Sequence, residues 1–134
     1  MSLNLRKGLY SKLVSDSAIK ALVGERIYYQ QAPTGADFPY VIFDKTTGTK
    51  IRALQAKATI KTEVWMVKGV DRSTSSNVVD ELADAIDALL DEGTITVSER
   101  TVLDLHLVGD FAYPENSGDQ QYRHAGGNYA VVLS

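Results

Sequence analysis

Apolar residues recur along this chain with two periods, and each change of period marks an element. In residues 73–93, Val78, Val79, Leu82, Ala85, Ile86, Leu89 and Leu90 fall on one side of a helical projection. Asp80, Glu81, Asp84, Asp87, Asp91 and Glu92 fall on the other. That pattern predicts one long amphipathic helix, N-capped by Ser73, Ser75 or Asn77. Leu5, Leu9 and Leu13 repeat every fourth position and predict a helix over residues 3–14. Gly8 weakens it by up to about 1 kcal/mol relative to alanine. Ser15 or Asp16 then caps a short helix over residues 17–23, which Gly24 ends.

Alternation and β-rich runs fill the rest. Strands are expected at residues 27–30, 40–47, 56–67, 101–111 and 120–133, with a short strand or edge segment at 94–97. In the third of these, Ile60, Thr62, Val64 and Met66 share one face, and Lys61, Glu63, Trp65 and Val67 the other. Residues 31–37 and 113–119 read as turn and loop. Residues 48–55 read either as a hairpin loop or as a continuation of the strands. Gly126-Gly127 marks a bulge or a close backbone approach. The order α-α-β-β-β-α-β-β, rich in hairpins, predicts an α+β fold. It is an antiparallel β-sheet with the long amphipathic helix packed on one face and an N-terminal helical pair, as a single domain over residues 1–134.

Composition narrows the function classes. At 134 residues, with 44% apolar and 23% charged positions, the chain can build a real core. It has no cysteine, hence no disulfide framework, no thiolate nucleophile and no cysteine-based metal site. The first residues lack the apolar run and cleavage site of a secretory signal, and no stretch is apolar enough to suggest a membrane partner. Charge is partitioned. Residues 45–61 carry five basic residues (Lys45, Lys50, Arg52, Lys57, Lys61) and no acid, whereas residues 71–92 carry seven acids and one arginine. Such blocks bear on partners more than on fold.

Catalytic signals are thin. Asp104 and His106 share a strand face, and His124 is the only other histidine. A metal would need a third ligand and a His-Asp pair a nucleophile, so a polar sheet surface is the simpler reading. Ser73, Thr74, Ser75 and Ser76 lack the glycine-lysine loop of a phosphate site and read as capping residues. The basic stretch lacks interleaved aromatics, which argues against direct nucleic-acid binding.

One stretch resembles a known family. It runs through Leu22-Val23-Gly24-Glu25-Arg26-Ile27-Tyr28, then Ala32-Pro33, then Pro39-Tyr40-Val41-Ile42. It is similar to the tail-terminator, or tail-completion, proteins of long-tailed bacteriophages and prophages. The order of the later elements agrees with that family as well. The resemblance implies a non-enzymatic virion assembly protein with no catalytic residue, metal or cofactor. Proteins of this kind form rings, usually hexameric, that cap the tail tube, end its polymerisation and receive the head-side connector. Partners would then be further copies of the chain, the tail tube protein and the connector protein, with DNA at most passing through the lumen. Its location would be the host cytoplasm during assembly, then the virion tail. With a ring in view, the charge blocks become subunit-interface candidates: Lys45, Lys50, Arg52, Lys57 and Lys61 against Asp80, Glu81, Asp84, Asp87 and Asp91. Three rivals remain from the sequence. They are another head–tail neck protein, such as a stopper or adaptor, a generic α+β binding module, and a small enzyme using Asp104, His106 and His124.

Overall fold

The computed structural model describes residues 2–52 and 59–134. Its elements are α1 (Ser2–Ser15), α2 (Ser17–Val23), β1 (Ile27–Tyr29), β2 (Tyr40–Arg52), β3 (Thr59–Asp71), α3 (Asn77–Leu90), β4 (Val102–Ser117) and β5 (Gln120–Leu133). The strands form one sheet in the order β1-β2-β3-β5-β4.

This is an α+β fold, but the sheet is mixed rather than antiparallel. β1 runs parallel to β2, pairing Ile27, Tyr28 and Tyr29 with Val41, Ile42 and Phe43. The intervening residues loop back rather than turn tightly. Arg26 fastens the return: its Nε–H donates to the Pro39 carbonyl at 2.9 Å, and its own carbonyl accepts the Val41 N–H at 2.9 Å. The other neighbouring strands pair antiparallel.

The core lies on one face of this sheet. Leu5, Leu9 and Leu13 of α1, Ile19 and Val23 of α2, and Leu82, Ile86 and Leu90 of α3 close over Val41, Phe43, Trp65, Val67, Tyr129 and Val131. A helix can sit down on a sheet only where side chains give it room. Gly69 provides that room for α3, because a Cβ there would collide with Leu82.

Two expected segments come out differently. Residues 94–97 are not a strand; they are irregular, with Ile95 and Val97 buried in the core. A β-carbon on Gly8 would strike the Thr96 carbonyl oxygen, so the glycine that weakens α1 lets this segment pass against it. Residues 113–119 are not a loop either. β4 continues to Ser117, and a two-residue turn at Gly118-Asp119 leads into β5. Of the stretch left open at residues 48–55, Gly48 to Arg52 continues β2. The start of the strand expected at 56–67 falls outside the described residues; β3 then runs on to Asp71, past the expected end.

The N-cap of α3 is Ser76, not Ser73, Ser75 or Asn77, and its side chain makes no capping bond. The serines before it bond locally instead. Ser73 Oγ accepts the Ser75 N–H, and Ser75 Oγ accepts the Asn77 N–H.

Candidate interaction surfaces

The structure sorts the ten charged interface candidates into those already engaged within the chain and those facing solvent. Lys45 and Lys61 are engaged. Both reach Glu63, at 3.3 and 3.2 Å, and Glu63 is wholly buried. Glu63 also accepts the Trp65 indole N–H at 3.3 Å. Burial alone would raise its pKa, but the two ammonium groups outweigh burial and hold the carboxyl below its ordinary value. Lys50 is exposed on β2. Lys57 lies outside the described residues, as does the side chain of Arg52.

On the acidic side, Asp87 accepts the Tyr129 hydroxyl at 3.0 Å, and burial together with that carboxylate pushes the phenol pKa far up. Asp91 caps α3 at its C-terminus, and its Oδ1 accepts the Leu107 N–H at 2.8 Å. That bond explains a carboxylate at the unfavourable end of a helix dipole: it fastens the edge strand β4. Asp80, Glu81 and Asp84 stay exposed on α3. Asp80, Asp84 and Asp87 line a cleft of about 300 Å³ with Asp110 of β4, over a floor that includes Leu107 and Tyr129. Asp110 was not among the candidates, because only the fold brings it opposite α3.

A larger concavity, about 1120 Å³, opens at the end of the sheet where β2 begins and β3 ends. Its aromatic walls are Phe38, Tyr40 and Tyr122, with Phe38 5.0 Å from Tyr40 and 5.7 Å from Tyr122 between ring centroids. The Arg72 guanidinium lies 5.3 Å over the Phe38 ring. The run Phe38-Pro39-Tyr40 carried the signal for this surface, but nothing in the sequence brought Tyr122 to it.

His124 borders this cleft and is buried. Its Nε2 lies 2.6 Å from Glu115 Oε1, and its ring stacks on Tyr113 at 4.5 Å. A carboxylate accepts, so Nε2 carries the proton; Nδ1 is buried with no hydrogen-bond partner among the described residues. Burial holds the imidazole pKa below the ordinary histidine range, Lys68 adds to the effect, and Glu115 opposes it. The unfolded chain therefore takes up this proton first as pH falls. Stability from neutral His124 should be complete above about pH 6.5 and decline as pH drops towards the folded pKa. Urea midpoints between pH 7.5 and 5 should fall for the wild type and less for His124→Gln; equal slopes would refute the assignment.

His106 and Asp104 do pair, at 2.6 Å, on exposed strand. His106 sits opposite Ala130 and His124 opposite Tyr113 on the same hairpin, which separates the two histidines by roughly 20 Å along the strands. The three residues weighed for an enzyme thus do not form one site. Among the described residues, no group of three or more His, Asp or Glu could hold a metal ion.

The profile of one family, described as "Tail completion protein gp17", matches residues 7–134. The chain belongs to that family. This makes it a structural protein of phage tail assembly, from a family of virion components. Solved structures share the fold of this tail completion protein. One is a chain of the "Virion of native gene transfer agent (GTA) particle", with a TM-score of 0.76 at 18% identity, covering 97% of this chain and 95% of that one. A second has a TM-score of 0.63 at 14% identity, covering 100% and 96%. No curated protein matches the sequence. No helix among the described residues is long and apolar enough to cross a membrane.

Proposed function

We propose that this tail completion protein caps the tail tube as a ring of six copies, ends tube polymerisation and receives the head-side connector.

 The observation that carries this reading is the family match over residues 7–134, and the likeness to a chain solved within a phage-like particle supports it. Copies of the chain would be joined by the opposed charges that face solvent, Lys50 on β2 and Asp80, Glu81 and Asp84 on α3. Complementary charge would set register and partner choice more than affinity. A contact between two different surfaces is heterologous, and such contacts close into rings when the rotation allows. The partners are then the tail tube protein and the head–tail connector, with DNA at most passing through the lumen. The protein would act in the host cytoplasm and remain in the virion tail.

Purified protein added to polymerising tail tubes tests this reading. Tubes should become shorter as protein is added, and negative-stain images should show one density at one tip of each tube. Tubes of unchanged length, with the protein bound elsewhere or not at all, would assign it to another part of the neck.

A further inference from the structure

Two stretches of strand edge have no strand partner among the described residues, and they lie on opposite sides of the sheet. β1 covers β2 only at Val41, Ile42 and Phe43. From Thr46 to Arg52 the outer edge of β2 is bare. On β4 the chain after α3 engages Leu105 and Leu107. Glu92 N–H donates to the Leu105 carbonyl at 2.9 Å, Asp91 takes the Leu107 N–H, and residues 92–95 line a cleft with residues 102–105. Past the bulge between Leu107 and Gly109, the edge from Gly109 to Ser117 is bare. A bare edge is a template for another strand.

The two edges suit each other in three respects. The first is direction. β2, β3, β5 and β4 alternate, so β2 and β4 run antiparallel; β2 of one copy set beside β4 of the next continues that alternation. The second is charge. Residues 46–52 include Lys50 and Arg52 and no acid, while residues 109–117 include Asp110 and Glu115 and no base. The third is the side of the sheet. Lys50 pairs with Lys61, on the face that carries the helices. Asp110 pairs with Gly127, which pairs with Val67 on that same face. An incoming Lys50 therefore arrives on the side where Asp110, Asp80 and Asp84 line their cleft.

We infer that copies of this chain join by strand addition, residues 46–52 of one against residues 109–117 of the next, with Lys50 set over Asp80, Asp84 and Asp110. The inference rests on the ring reading above and specifies its joint. It also accounts for Pro114. Leu107 N–H points outward to Asp91, and past the one-residue bulge the outward backbone positions become Asp110, Ala112 and Pro114. A proline there removes no bond to β5.

Mass photometry of the purified protein, alone and with tail tubes, tests the joint. Lys50→Asp and Asp110→Lys should each lower the assembled fraction about tenfold at fixed concentration, the equivalent of about 1.4 kcal/mol. The double variant should recover most of it. Ala112→Pro should also block assembly while far-UV circular dichroism stays that of the folded monomer. If Ala112→Pro does not fold, the charge swap decides alone. Assembly that persists in both single charge variants overturns the joint and leaves the ring reading standing. Wild-type protein that assembles neither alone nor on tubes removes the ring, and the joint with it.

Discussion

Alanine at Glu63 should destabilise the fold by roughly 3–5 kcal/mol, the usual cost of removing one partner from a buried ion pair. Lys61 is almost as buried as Glu63 and would be left with no carboxylate beside it. Lys45 is more exposed and can swing towards water, which places the expected loss near the lower end of that range. Trp65 would lose the acceptor of its indole N–H as well. Urea unfolding measures the loss directly. If the penalty comes from the stranded cation, Glu63→Leu combined with Lys61→Met should recover most of it, because an apolar pair of similar volume carries no desolvation cost. A double variant as unstable as Glu63→Ala would place the cost in packing instead. The pH dependence has a definite sign. The folded carboxyl titrates below its ordinary value, so its contribution is complete above about pH 4.5 and is lost as pH falls through the folded pKa. Other carboxylates titrate in the same range, so the readout is the difference between the wild type and Glu63→Gln.

Glu63 also shows where reading the sequence succeeds and where it stops. Alternation put Lys61, Glu63, Trp65 and Val67 on one face, and that face is the buried one. The charge block of residues 45–61 is a property of the chain's local order, however, and local order cannot show that Lys45 bends back across the strand to Glu63. The acidic helix poses the same difficulty. Asp87 and Asp91 look like Asp80 and Asp84 in the sequence, yet one holds Tyr129 and the other holds β4. Long-range partners decide which charges are free.

Local composition misled in two places, for different reasons. Pro114, Asn116, Ser117 and Gly118 are turn formers, but only Gly118 and Asp119 make the turn. The rest is a strand exposed along its length, so it has no apolar face to alternate with a polar one. Residues 94–97 have β-branched side chains and a strand-like look. Their backbone is committed elsewhere, to the contact between Thr96 and α1, and they join no ladder. The parallel placement of β1 left no trace in the sequence, since three residues carry too little pattern to give a direction.

Alanine at Gly126 should cost about 3 kcal/mol, at the upper end of the usual range for overpacking. The sequence left a bulge or a close approach open at Gly126-Gly127; β5 pairs with β3 without a register shift, so close approach is the explanation. A methyl group on Gly126 would land on the Val67 carbonyl and the Lys68 Cα, which are backbone atoms at the centre of the sheet. Backbone can give way there only by parting β3 from β5, and the core side chains Trp65 and Tyr129 pair across that same seam. Gly69→Ala makes the informative contrast. The nearest neighbours of its new methyl group would be side-chain atoms of Leu82 rather than backbone, so the loss should be nearer 1 kcal/mol. Leu82→Val should offset part of the Gly69→Ala loss and none of the Gly126→Ala loss, a coupling that a double-mutant cycle in urea would measure. Equal losses at the two glycines, or equal coupling to Leu82, would mean that α3 and not the strand seam limits the packing of this sheet.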